Sequence, residues 1–310
     1  GYTNPSLGIN VNLRTGSYDF TPTVYGPYTI TSVEIVRGTN VADTIRGTFG
    51  TQTFYGNSGN DTFIVGVGEY YDSVAGGSGI DTLDHSETSQ SGGIFDFDTG
   101  TYTGTFSNGP IEFSSIEIYL DGSGSNTISS AGSAQTLHGN DGNDTMIAVS
   151  GAETMYGGNG FDTVDLSVGN FIYTFDTQTG LAADYPSELF LGFERFIFGS
   201  ASDTITTQTT TGASETVIAG SGNDTIIDRT FMAVGDLDVY DGGDGTDTLV
   251  HERNWVSSVV FNLETGFASV SGSNRDQLIS IENLVVAGAA SVVGSSGANV
   301  ITATGIGENT

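Results

Sequence analysis

Residues 121–165 divide into five consecutive nines: DGSGSNTIS, SAGSAQTLH, GNDGNDTMI, AVSGAETMY and GGNGFDTVD. Each has a polar, mostly Gly-containing first half, Thr at position seven and an apolar residue at position eight. Position six runs Asn126, Gln135, Asp144, Glu153, Asp162. A period of nine is too long for a helical turn, and x-Thr-Φ-x has the composition of a short strand. The period therefore allows one unit, a tight turn plus a short strand. Two such units close one coil of a solenoid about 18 residues round.

The glycines have a mechanical reason. A turn that aims backbone carbonyls inward needs residues at positive φ, where glycine carries no Cβ penalty. Position two is Gly158 in one block but Asn140 and Asn57 in others, and Asn best tolerates the left-handed region after Gly. An Asp ending such a turn offers a hard oxygen ligand, and two stacked turns offer two. The same frame recurs as GNSGNDTFI (56–64), GGSGIDTLD (76–84), AGSGNDTII (219–227) and GGDGTDTLV (242–250). In this recurrence the chain resembles the RTX family, whose repeat G-G-x-G-x-D-x-U-x builds calcium-binding parallel β-rolls.

The resemblance implies an all-β fold, a parallel β-roll or β-helix solenoid with stacked calcium-binding turns. Its implied ligands are Asp61, Asp81, Asp144, Asp162, Asp224 and Asp247, in turns made by Gly56, Gly59, Gly76, Gly139, Gly157 and Gly242. Asp43 and Asp203 close loops that lack Gly at position four (Val41, Ala201), and Asn126 and Asn299 lack the charge. These form a weaker tier. A calcium site needs six to eight oxygens, more than one short loop supplies, so each ion is expected between successive loops. The expected pairs are Asp61 with Asp81, Asp144 with Asp162 and Asp224 with Asp247. Alternate nonapeptides should fall on opposite edges. That places all these loops on one edge, opposite Gln52, Asp72, Gln135, Glu153, Glu215 and Asp238. Asp141 and Asp244, at position three, are expected to point outward.

Thirty-seven acidic residues against seven basic ones give a net charge of −30. Nucleic acid and anionic membrane surfaces are excluded as natural partners. So acidic a chain repels itself when compact unless cations neutralise it, which suits calcium turns. Without Cys there is no disulfide or thiolate site. No apolar run approaches the roughly 18 residues of a membrane span.

Between the blocks lie four spacers: GINVNLRTG (8–16), GIFDFDTG (93–100), FIYTFDTQTG (171–180) and VVFNLETG (259–266). Each is an alternating strand closing in Thr-Gly, followed by a strand into a Φ-Glu segment at Glu34, Glu117, Glu194 or Glu282. The spacers are expected to stack as wider, metal-free coils. The whole of 1–310 then reads as one continuous solenoid with repeats 1–84, 85–165, 166–250 and 251–310, the last cut short. The chain opens without Met and stops inside GSSGANVIT (294–302), so a segment of a longer protein is expected.

The spacer glutamates, with Asp96, Asp98 and Asp176, could suggest carboxylate catalysis of glycoside cleavage. They repeat along the array, whereas an active site needs one unrepeated constellation. His85, His138 and His251 match no metal-protease spacing, His138 should face outward, and Trp255 reads as a packing anchor. Thr at position seven points out and should form ladders on both faces, such as Thr127–Thr145–Thr163 and Thr136–Thr154. Flat Thr ladders can bind ice, but a break at each spacer after about three coils leaves ordinary β-propensity as the reason. The expected function is a secreted, extracellular calcium-binding scaffold. The family resemblance implies type I export, with folding on calcium outside the cell. A non-catalytic module of a secreted hydrolase, lyase or epimerase is one alternative. An adhesin or surface-layer module, with a cell-surface, glycan or self-associating partner, is the other.

Overall fold

A computed structural model of the chain describes residues 7–21, 27–48, 50–65, 73–104, 111–149, 151–207, 214–229, 237–252, 259–271, 273–287 and 290–304. Asp72 and Trp255 lie outside them. Every regular element among the described residues is a strand. The chain divides into two compact units, Gly1–Asp162 and Thr163–Thr310.

In the first unit, one sheet stacks seven strands in parallel: Gly8–Asn12, Thr44–Arg46, Thr62–Ile64, Thr82–Asp84, Ile118–Leu120, Thr136–Asp141 and Thr154–Asn159. The second sheet carries Ile35–Arg37, Thr53–Ser58, Ser73–Ser78 and Ile111–Ser114 in parallel. It continues antiparallel through Thr101–Thr103 to Ile94–Asp96, then in parallel through Thr127–Ser129 and Thr145–Ile147. In the second unit, one sheet runs Thr174–Asp176, Thr204–Thr206, Thr225–Asp228, Thr248–His251, Asn283–Ala287 and Val300–Thr304. Its other sheet runs Thr163–Asp165, Arg195–Ile197, Thr216–Ile218, Val239–Asp241 and Ser273–Ile279. The all-β parallel roll expected from the nonapeptide period is the fold observed.

The register explains the frame. Position eight points inward and stacks on position eight of the next coil, so Ile45, Phe63, Leu83, Tyr119, Leu137 and Met155 form one buried column. Phe54, Val74, Phe113, Phe95, Ile128 and Met146 face it from the second sheet. Each buried side chain of this size contributes roughly 1.5–3 kcal/mol of apolar transfer. Position six is buried too, and Thr at seven is half-buried on the outer pleat, as the two-residue alternation of a strand requires.

Two expectations change. The spacer is not a wider coil. Residues 94–114 form a three-stranded antiparallel meander that stays within one sheet, because the Thr-Gly turn at Gly100 (φ 66°) reverses the chain. The Thr ladder is broken at the spacer as expected, by Ile118, but the sheet runs on through it. The spacer strand Ile118–Leu120 pairs with Thr82–Asp84 on one side and Thr136–Asp141 on the other, so the column runs Thr44, Thr62, Thr82, Ile118, Thr136, Thr154.

The glycine-rich loops do not keep to one edge. Loops 56–61 and 76–81 lead from the second sheet into the first, whereas loop 139–144 leads from the first into the second. After loop 76–81 the chain crosses between sheets at 85–93, 115–117 and 121–126. Three crossings are an odd number, so the second block's loops emerge on the opposite edge of the roll.

Leu137 is fully buried between Tyr119 and Met155. Leu137→Ala is expected to cost about 2–5 kcal/mol, read as a lowered denaturation midpoint in calcium.

Candidate metal centre

The loops are built by backbone conformation and close approach together. Position two is at positive φ in every block: Asn57 (77°), Gly77 (113°), Asn140 (64°), Gly158 (116°), Gly220 (99°) and Gly243 (86°). Position four is likewise at positive φ, from Gly59 (112°) to Gly160 (152°). Position one has no such φ; its glycine is needed for space. A Cβ on Gly56 would collide with Asp61 Oδ2 and the Gly76 carbonyl oxygen. On Gly139 it would lie 2.6 Å from Asp144 Oδ2 and 2.5 Å from the Gly157 carbonyl oxygen. On Gly242 it would lie 2.7 Å from Asp247 Oδ2 and would strike the Ser280 carbonyl. Gly76 and Gly38 show the same crowding against Asp81 and Asp43. At these five positions, then, one carboxylate oxygen and a carbonyl of the next coil share a cradle that a methyl group would fill; the Asp224 loop departs from this, with Ala219 at position one.

The other carboxylate oxygen is spent along the roll axis. Asp61 Oδ1 accepts the Asp43 amide at 2.8 Å, and Asp81 Oδ1 accepts the Asp61 amide at 2.8 Å. Asp144 accepts from Asn126 at 2.8 Å and Asp162 from Asp144 at 2.7 Å. In the second unit Asp224 accepts from Asp203 at 2.7 Å and Asp247 from Asp224 at 2.8 Å. Spacer strands open these ladders: the amides of Ile9, Gly93 and Tyr173 donate to Asp43, Asn126 and Asp203. Spacer glutamates close two of them, where Glu117 Oε2 takes the Asp81 amide and Glu282 Oε2 the Asp247 amide, both at 2.8 Å.

Every position-six aspartate named above is at least 97% buried. The second oxygens of Asp61, Asp81, Asp144, Asp203, Asp224 and Asp247 have no hydrogen-bond partner. A buried, ionised, half-satisfied carboxylate is costly, and a cation in the cradle removes that cost. Burial is the main cause of their raised pKa values. It pushes Asp61 and Asp203 up to about 6 and Asp144 and Asp224 up to about 7, against the pull of the amide each accepts. Asp81, Asp162 and Asp247 are raised for the same reason, with the Glu117 and Glu282 charges adding at Asp81 and Asp247.

Of the weaker tier, Asp203 behaves like the main set, with an unpartnered Oδ2, whereas Asp43 and the two asparagines differ in kind. Asp43 Oδ2 accepts from the Thr39 amide at 2.5 Å and from the Thr39 hydroxyl, so both its oxygens are satisfied. Asn126 places an amide nitrogen where its neighbours present a free oxygen. That nitrogen donates to Asp121 Oδ2 at 2.8 Å, the Gly124 carbonyl at 3.0 Å and the Gln90 carbonyl at 3.1 Å. Asn299 bonds likewise to Glu282 O and Ser295 Oγ. Asp141 and Asp244 are exposed.

No three His, Cys, Asp or Glu side chains converge on a metal position among the described residues. Asp61, Asp81, Asp144, Asp203, Asp224 and Asp247 each supply one unpartnered carboxylate oxygen, and further protein ligands there would be backbone carbonyls, as suits a hard cation. The residues considered for catalysis hold turns: Asp96 accepts the amides of Asp98 and Thr99, and Asp176 that of Thr179. His138 stacks on Tyr156 at 4.5 Å on the outer face. His85 is buried among Phe95, Tyr102 and Tyr119, which drives its pKa down to about 3, and His251 pairs with Asp228 at 2.6 Å.

The model of the RTX calcium-binding nonapeptide repeat matches four copies, at 37–71, 120–151, 131–164 and 209–228. These segments are RTX nonapeptide repeats. They indicate a calcium-binding β-roll module; Asp43, Asp61, Asn126, Asp144, Asp162 and Asp224 of the ladders lie inside the matched stretches, and Asp81, Asp203 and Asp247 lie outside them. A comparison with curated proteins gives no match.

Sequence reasoning missed a second ladder within these RTX loops. Position-five Asn60, Asn143 and Asn223 each accept, through Oδ1, the position-five amide of the following loop: Ile80, Phe161 and Thr246. The signal was present, since the last loop of each block drops the Asn. The glutamate closures had no such signal, because their spacing from Asp is different.

The raised aspartates fix the sign of a pH effect. Their folded pKa values lie above the ordinary value of 3.8, so they favour the metal-free fold below that value and lose that contribution as pH rises through 6–7. His85 acts oppositely but is one group against several. In chelator, the β-sheet circular dichroism signal is expected to be stronger at pH 5 than at pH 7.5, and calcium should abolish the difference.

Proposed function

We propose that this RTX β-roll is a secreted, extracellular scaffold segment that folds when calcium enters its loop joints. The observation that carries this reading is the set of buried aspartates whose Oδ1 holds a neighbouring amide while Oδ2 faces a carbonyl with no partner. In this reading Asp61 Oδ2 and the Gly76 carbonyl hold one ion. Asp144 Oδ2 with the Gly157 carbonyl hold a second, and Asp224 Oδ2 at the joint of loops 219–224 and 242–247 holds a third. Asp43 and Asn126 are weaker contributors, because their own loops already satisfy them. Bound calcium supplies positive charge and reorients no chemistry; the protein's residues only fold around it. Modules of this type bind calcium with dissociation constants of roughly 10⁻⁴–10⁻³ M, which suits the outside of a cell. Type I export is what the resemblance to the RTX family implies, and the scaffold role is our reading of a repeat array of this kind.

A ligand that binds only the folded state stabilises it by mass action. The net charge of −30 works against compaction until ions bind. Circular dichroism is expected to show a largely disordered chain at neutral pH in EDTA and a β-rich one in millimolar calcium. An unchanged β spectrum in chelator would sink the reading. The segment itself is expected to turn over no alginate, pectin, casein or ester substrate. Turnover lost on Glu117→Gln would show that a spacer carboxylate is catalytic.

A further inference from the structure

Three of the unpartnered oxygens, on Asp81, Asp203 and Asp247, are not used by the joints between glycine-rich loops, and two of the three share a setting. Asp81 and Asp247 each end a block, so no nonapeptide loop follows them. Both are buried, 0% and 1% exposed, and the Oδ2 of each has no hydrogen-bond partner.

A three-residue spacer turn lies over each of them, in loop register. Ser114 pairs with Ala75 and Ile118 with Thr82, so Ser115 occupies the place of Gly76 and Glu117 that of Asp81, one coil on. In the second unit Ile279 pairs with Asp241 and Asn283 with Thr248, so Ser280 stands over Gly242 and Glu282 over Asp247. Ser115 and Ser280 adopt the left-handed conformation (φ 54° and 49°), the backbone requirement that Asn or Gly meets at position two of a full loop. The Ser115 carbonyl crowds Gly76 beside Asp81 Oδ2, and the Ser280 carbonyl crowds Gly242 beside Asp247 Oδ2. The Gly76 carbonyl stands in the same relation to Gly56 and Asp61. Glutamate's extra methylene lets a loop of half the length still reach the aspartate amide. Ile116 and Ile281, between Ser and Glu, are buried and pin the turn to the core.

We propose that the spacer turns Ser115–Glu117 and Ser280–Glu282 are shortened calcium loops, each completing a terminal cation site with the last aspartate of the block before it. This rests on the reading that loop joints bind calcium, and it adds one site at the end of each of these two blocks. Asp81 Oδ2 and Asp247 Oδ2 are the carboxylate ligands, and the Ser115 and Ser280 carbonyls the backbone ligands. Glu117 and Glu282 are positioning residues that hold the aspartate amide and add negative charge beside the ion. The spacer is then part of the metal array, and calcium couples each block to the coil after it.

Calcium counted by equilibrium dialysis on the full chain separates this from the reading beneath it. Asp81→Asn with Asp247→Asn keeps the Oδ1 acceptor of the ladder and replaces Oδ2 with a donor. Asn126 shows that the fold accepts this, since its amide donates to a loop carbonyl. The double variant is expected to bind two fewer ions than the native chain, and Asp61→Asn one fewer. An unchanged count in the double variant, with one ion lost in Asp61→Asn, overturns the terminal sites and leaves the inter-loop sites standing. Two ions lost in the double variant and none in Asp61→Asn supports the terminal sites and overturns the others. Unchanged counts in both overturn both. Glu117→Gln with Glu282→Gln leaves every nonapeptide loop intact, so it serves if the aspartate variants do not fold. Two ions are expected to bind about tenfold more weakly in it, the usual cost of losing an outer partner of a metal ligand. An isotherm that superimposes on the native one overturns the proposal.

Discussion

The structure depends on a division of labour within a single carboxylate. At position six, Oδ1 is committed to an amide one coil away, which sets the axial register of the loops. The amide is the aspartate's own backbone N–H in the coil before, so each residue both gives and receives: Asp61 donates to Asp81 and accepts from Asp43. Oδ2 is left buried and unpartnered in most loops. A hydrogen-bonded carboxylate in this setting costs several kcal/mol if ionised and unneutralised. The ladder that aligns the coils therefore also leaves buried carboxylate oxygens that a cation would neutralise.

The remaining features come from stacking loops this closely. Position-one glycines are there because a carboxylate and a carbonyl approach their Cα, and positions two and four because the turn needs positive φ. The reciprocal Asn ladder at position five runs the other way along the axis, from Asn60 to Ile80 and from Asn143 to Phe161. Where a cation is not called for, the sequence substitutes a hydrogen-bond donor, Thr39 beside Asp43 or the Asn126 amide.

The nine-residue frame made much of this readable in advance. It identified the buried aspartates, the glycine positions, the inward column and the parallel roll, because each is local to one repeat. The placement of successive blocks was not local. Whether block two shares an edge with block one depends on the number of crossings in the spacer. That number depends in turn on residues 94–114 remaining in one sheet as a meander. Alternation marks those residues as strands without saying which sheet they join. Nor did the frame show that Asp81 holds the Asp61 amide through Oδ1 while its Oδ2 lies beside the carbonyl of the spacer turn. Glu117 and Glu282 were recognised as repeating, hence unsuited to catalysis, but their reach to an aspartate amide comes from a register that only the fold reveals.

The most direct test is anomalous diffraction from crystals grown with calcium and soaked with a lanthanide. One ion is predicted at each joint, bound through Oδ2 of Asp61, Asp144 and Asp224 while Oδ1 keeps its amide hydrogen bond. The ions of the first block and of the second should lie on opposite edges of the roll. Ions chelated by both oxygens of these aspartates, or gathered beside Gln135 and Glu153, would contradict the account.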